Sequence, residues 1–235
     1  MTRAESWESL HSTEEFLAMQ RVVNELFALL DGLPAFDWER ATRCPPLDVR
    51  ALVAHIAGSF AFVQTWLSAN PEGPARIDRS TMWRSFPDEA PRHVVQAAAA
   101  TSEGKSATEV NQGLRTAVQR FIKTTASVSP EQLAACPMFG DDFILSARDV
   151  VANRVLEVGV HLLDIQAAVG LPEVLPEAST PVIRSILDGL LGESPPDELG
   201  WDGVRYTLIG TGRAQLTRSE HDILGELAAC FPLLQ

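Results

Sequence analysis

Apolar side chains recur along this chain at helical rather than strand spacing. Phe16, Met19, Val22, Val23, Leu26, Leu29 and Leu30 follow one another three and four apart, which puts them on one helix face. Ser12 and Glu15 open that run as a capping box, and Gly32 and Pro34 stop it. A second run, Leu52, Val53, Ile56, Phe60, Val63 and Leu67, starts behind Asp48 as N-cap and ends at Asn70-Pro71. Helix-forming composition resumes at about 93–102. A longer helix is predicted from Thr108 to Thr125, with Val110, Leu114, Ala117, Val118, Phe121 and Ile122 as its apolar face. Ser146 and Asp149 cap a further helix over about 147–169, ended by Gly170 and Pro172. Between these runs, residues 71–92 are punctuated by Pro71, Pro74, Pro87 and Pro91, with Trp83 and Phe86 among them. They predict a long structured loop, a class that often carries function. Ser129-Pro130-Glu131 predicts a short turn or helix with proline at its first position.

Past Pro172 the elements shorten. Thr180-Pro181 opens a helix to Leu191-Gly192, and Thr217 with Glu220 caps another to about Cys230. The segment VRYTLI alternates like a strand but has no partner to pair with, so a helical turn ended by Gly210 and Gly212 is expected there. The pattern as a whole predicts a mainly all-α chain. Residues 1–172 would form a four-helix bundle and residues 173–235 a small helical C-terminal segment.

Composition narrows the partners. With 235 residues, 46% of them hydrophobic, the chain can bury one large core. A formal charge of −12 argues against a nucleic acid or an anionic membrane as the main partner, since both need a basic face. A small anionic ligand held by a local arginine remains compatible with it. Cys44, Cys136 and Cys230 lie far apart and form no C-x-x-C pair, as expected of a reduced compartment without a disulfide framework or zinc ribbon. The N-terminal residues lack an apolar signal region, and no apolar run approaches the ~20 residues of a membrane span, so a cytoplasmic chain is expected.

The helix at 147–169 carries the candidate chemistry. With Glu157 as zero on a wheel of about 100° per residue, Asp164 falls near −20°, His161 near 40° and Arg154 near 60°. Valines, leucines and an isoleucine flank this stripe, and the sector around Ala152, Val155 and Gln166 opposite it is the expected solvent side. Four ionisable groups set into an apolar face cost free energy unless they are paired or coordinated. Glu157 and His161, four apart, can present donor atoms to one point, and a divalent cation would account for both. Such an N/O donor set suits zinc, nickel or iron. His55, beside Ala51, Gly58 and Ser59 on the second helix, is the candidate third ligand, which would leave at least one coordination position open. A metal-free network of Glu157, His161 and Arg154 is the competing account, and the inward direction of the whole stripe favours the metal. His11, His93 and His221 are expected at the surface, Trp38, Trp66 and Trp201 in packing roles, and Cys44 in a structural one.

These two segments resemble a known family. CPPLDVRALVAHIAGSF is similar to the first signature of the mycothiol-dependent maleylpyruvate isomerases, and RVLEVGVHLLDIQAAVG to their R-x-x-E-x-x-x-H-x-x-D helix. The resemblance covers roughly residues 12–170 and implies a DinB-like, metal-binding four-helix bundle. It implies zinc on His55, Glu157 and His161, with mycothiol or a similar low-molecular-weight thiol as cosubstrate. Arg154 and Asp164 would lie behind the ligands, Asp164 orienting one of them and Arg154 holding Glu157. GWDGVRYTLIGTGRAQLT resembles a W…TGR…LT tail of relatives, which makes Arg213 a candidate anion contact. The expected function is a zinc-dependent S-transferase or cis–trans isomerase acting on a small electrophile. A non-catalytic metal-binding scaffold or sensor, or a hydrolase using metal-bound water, is the alternative.

Overall fold

A computed structural model describes residues 9–69, 71–87 and 89–234. The N-terminal residues 1–8, and Asn70 in the expected stop of the second helix, lie outside them. Among the described residues no helix is long and apolar enough to cross a membrane.

Helices dominate, as the periodicity predicts: α1 (Glu14–Gly32), α2 (Val49–Leu67), α3 (Ala90–Ser102), α4 (Ala107–Thr125) and α5 (Ala147–Ala168). Local chemistry sets their starts. Asp48 accepts from Ala51 N, Ser146 accepts from Asp149 N, and Ser106 with Glu109 closes a capping box on α4. The cap of α1 is one residue later than predicted. Thr13 accepts from Phe16 N, while Ser12 donates its hydroxyl to Ser9 O in a preceding 3-10 turn. In the bundle α1 packs on α5, and α2 packs on α3, α4 and α5. Phe60 of α2 and Phe121 of α4 meet edge-on at 5.4 Å, a contact between two fully buried rings.

Two short strands were not expected. Ser129-Pro130-Glu131 forms a turn, one of the two forms expected there, with Gln132 N donating to Ser129 O, and leads into β1 (Leu133–Ala135), which pairs antiparallel with β2 (Ile144–Ser146). Strands of three residues are too short to show alternation, so their pairing is visible only in three dimensions. The proline-rich loop runs across the bundle as a strap. Arg76 N and Ile77 N donate to Ile144 O, Ser80 Oγ donates to Ile186 O, and Arg79 joins Glu15 of α1 to Asp149 of α5 at 2.9 and 2.7 Å.

The C-terminal segment folds as α6 (Thr180–Leu191), α7 (Gly203–Gly210) and α8 (Arg218–Leu224), the last continuing as 3-10 turns over Gly225–Cys230. VRYTLI is helical, as expected. α6 packs on α5, and this overturns the expected solvent side of that helix. Ala152, Val155 and Gln166 are all buried, and Gln166 accepts from Val174 N at 2.9 Å. A Cβ on Gly159 would stand 2.9 Å from Ile183 Cδ1, so the close approach of α6 is built on that glycine. The helix that was expected to have one wet face is enclosed on every side.

Candidate metal centre

The inward stripe of α5 meets α2 at the middle of the bundle. His55 Nε2 lies 2.7 Å from Glu157 Oε1, and His161 Nε2 lies 3.7 Å from the same oxygen. The two imidazoles stand edge to face with centroids 5.0 Å apart. One donor atom from each of the three residues falls within 4.8 Å of the others. Donors bound at 2.0–2.2 Å around a tetrahedral ion stand ~3.4 Å apart, so the three need only small adjustments to share one. Burial pushes the Glu157 carboxyl pKa upward, but His55, His161 and Arg154 together outweigh it and hold the group well below the usual carboxylate range. Glu157 is therefore an anion at neutral pH, as a ligand must be.

A chain of contacts stands behind His161. Its Nδ1 lies 3.0 Å from Asp164 Oδ2, and Asp164 is fully buried. A carboxylate there favours a proton on Nδ1, which would leave Nε2 available as a metal donor. Arg213 then pairs with Asp164 through both Nε and Nη2, each at 2.9 Å. Burial raises the Asp164 pKa, and the hydrogen bonds from His161 and Arg213 reverse that and keep it ionised. The anion that Arg213 contacts is thus one of the protein's own.

The turn that carries Arg213 is built to aim it. Gly212 has φ +72°, a conformation that side-chain-bearing residues rarely adopt, and Arg213 N donates to Leu208 O at 2.7 Å. Leu233 N and Leu234 N close the turn from outside by donating to Gly210 O. An open groove of about 530 Å³ beside it is lined by Arg43, Thr211, Gly212, Arg213, Pro232 and Leu234.

Two residues of this region escaped the sequence reading. Cys44, expected to be structural, donates its thiol to Asp164 Oδ2 at 3.3 Å and lies 3.4 Å from Arg213 Nη2. Burial and the Asp164 charge push its pKa up to about 12, so it stays a protonated thiol. Its lead-in is pinned by Arg43, whose guanidinium grips Glu173 at 2.5 and 3.0 Å. No local pattern marks Cys44, because it reaches the site only when the lead-in folds against α5. Asn153 does carry a signal: one turn before Glu157 it lies on the same stripe, and it is fully buried.

Arg154 is buried beside Glu157, with no hydrogen bond between them; its Nε and Nη1 have no acceptor among the described residues. His93 and His221 are exposed, as expected. His11 is not simply at the surface: it stacks on Phe16 at 3.9 Å and its Nε2 lies 3.0 Å from Thr125 Oγ1. Trp38 and Trp66 are buried and Trp201 partly so, which fits packing.

Comparison with protein-family models finds a match over residues 19–166 to the family described as mycothiol maleylpyruvate isomerase N-terminal domain. No curated protein and no solved structure matches the chain.

Proposed function

Because the chain belongs to the family of the mycothiol maleylpyruvate isomerase N-terminal domain, we propose that it is a zinc-dependent enzyme working with a low-molecular-weight thiol. It would transfer that thiol to a small electrophile, or isomerise the electrophile through reversible addition. The observation that carries this reading is the convergence of His55, Glu157 and His161, from two helices, with one histidine already oriented by a buried carboxylate. When bound there, zinc would supply Lewis acidity that keeps a coordinated sulfur ionised at neutral pH.

The protein's own groups have separable tasks. Glu157 supplies negative charge and the two imidazoles supply neutral nitrogen donors. Asp164 fixes the tautomer of His161, and Arg213 fixes Asp164, so the C-terminal segment takes part in the site although it lies outside the matched region. Cys44, held as a thiol with its pKa raised to about 12, is unsuited to be the nucleophile, which favours an external thiol.

The test starts with metal analysis of protein purified without chelator, expected to give about one divalent ion per chain, and a large loss of it in His55→Ala. X-ray absorption on the zinc form should then gain a Zn–S distance near ~2.3 Å when the working thiol is added, because the three ligands contain no sulfur. Consumption of an electrophile should need thiol and metal together. Background metal in wild type overturns the metal reading. An unchanged zinc shell across a panel of thiols removes the thiol chemistry and leaves a scaffold or a hydrolase.

A further inference from the structure

At the other ring nitrogen of His161 a second set of donors converges. Cys44, Asp164 and His161 each offer one donor atom within 4.8 Å of the others. Asp164 Oδ2 is the common neighbour, 3.0 Å from His161 Nδ1 and 3.3 Å from Cys44 Sγ. Donors around a tetrahedral ion stand ~3.5 Å apart, so both spacings already approach a coordination edge. α5 supplies His161 and Asp164 one turn apart, and the lead-in to α2 supplies Cys44. That lead-in is fixed in place: Cys44 N donates to Thr42 Oγ1, Leu47 N donates to Cys44 O, and Arg43 grips Glu173. The fold also sets a cation here. Arg213 Nη2 lies 2.9 Å from Asp164 Oδ2 and 3.4 Å from Cys44 Sγ, so the guanidinium faces two of the three donors. This cation is within reach of solvent, with 19% of its side chain exposed and the groove of about 530 Å³ beside it. Cys44 is itself partly exposed. A nitrogen, oxygen and sulfur set is softer than the sulfur-free set of the first centre, and thiolate selects thiophilic ions.

We propose that Cys44, Asp164 and His161 form a second metal site, for a thiophilic divalent cation such as cadmium, guarded by Arg213 and exclusive of the first centre through His161. To admit the ion, Arg213 moves from Asp164 toward the groove. Cys44 forms the metal–sulfur bond and its thiol proton goes to solvent, while Asp164 binds as the carboxylate it already is. Neutral His161 binds through Nδ1, and its ring proton moves to Nε2, the atom that the first centre needs. The second site stands on its own geometry; only the exclusion rests on the function proposed above.

The experiment uses the full chain, stripped with chelator and titrated with cadmium. The readout is the ultraviolet charge-transfer absorption of cadmium-bound thiolate, not total metal. Wild type should gain this absorption. Cys44→Ser should lack it, and because that variant keeps Cys136 and Cys230 it also measures their background. His55→Ala should retain the absorption, since His55 belongs to the first centre alone. By the same signal Arg213→Met should bind cadmium roughly tenfold more tightly, because the ion no longer has to displace a cation from Asp164. Absence of the absorption in wild type overturns the second site, as does an equal signal in Cys44→Ser or its loss in His55→Ala. Unchanged or weaker cadmium binding in Arg213→Met overturns the guard. For the exclusion, cadmium added to the zinc-loaded chain should release zinc as the absorption grows, whereas Cys44→Ser should keep its zinc. Both ions held together by wild type, or equal zinc release from Cys44→Ser, overturn it. If the chain takes up no zinc, the proposed function fails separately, and the cadmium titration still decides the second site.

Discussion

Replacing Arg213 by methionine tests whether the C-terminal segment holds the site together. Asp164 has no exposed surface, and Arg213 donates to it twice at 2.9 Å with 19% of its own side chain exposed. Breaking a fully buried ion pair by deleting one partner costs ~3–5 kcal/mol, mostly because the other charge is left stranded. The partial exposure of Arg213, and the contacts Asp164 keeps to His161 and Cys44, place this case near ~3 kcal/mol. In a chain of this size that lowers the melting temperature by roughly 6–12 °C. The sign of the pH dependence follows from Asp164. Its folded pKa is depressed, so its stabilising contribution is present above the unfolded value of about 4 and is lost as pH falls toward the folded one. In Arg213→Met that depression shrinks, so the difference from wild type should be largest at neutral pH and narrow below about pH 4, where Asp164 protonates and needs no cation. Urea unfolding of both proteins at several pH values measures this. Asp164→Asn and the double variant complete a cycle expected to show ~2 kcal/mol of coupling. Metal affinity should fall ~10–100-fold with the loss of the group that orients a ligand's support. A destabilisation under ~0.5 kcal/mol at pH 7, or one that does not change with pH, would refute this account of the pair.

Two further outcomes follow from packing and burial. Iodoacetamide at pH 8 should label exposed Cys230 quickly and Cys44 slowly, since a pKa near 12 leaves only a trace of Cys44 thiolate; mass spectrometry of peptides reads the order, and equal rates would contradict the buried, carboxylate-facing thiol. Gly189→Ala would place a Cβ 2.1 Å from Ser80 Oγ and 2.8 Å from Ser80 Cβ, forcing the strap off α6 at ~1–3 kcal/mol, and a thermal melt indistinguishable from wild type would show that the strap is not packed there.

Much of the fold is local in origin. Capping residues such as Asp48, Ser146 and Thr217 act within one turn, so the sequence alone sets where these helices begin, and apolar spacing such as Phe16 to Leu30 sets the face that α1 buries. The same locality makes the stripe of α5 legible: a wheel places Arg154, Glu157, His161 and Asp164 together without knowledge of any neighbour. His55 was recognisable as a partner only by its small neighbours and the resemblance.

Contacts between distant segments were settled by tertiary structure. The three-residue strands have too little pattern to announce themselves, and their pairing across an intervening turn is a matter of geometry. The enclosure of Ala152, Val155 and Gln166 depends on α6 and residue 174, which no periodicity within α5 can foretell. Arg213 and Cys44 reach Asp164 from 49 and 120 residues away. On the sequence Arg213 is a candidate anion contact with no indicated partner, and Cys44 an ordinary cysteine beside prolines. A buried carboxylate acquires its partners only when the whole chain has closed around it, because only then does desolvation make pairing worth more than hydration. For the same reason, that Arg154 Nε and Nη1 find no acceptor among the described residues is a fact of the folded molecule alone.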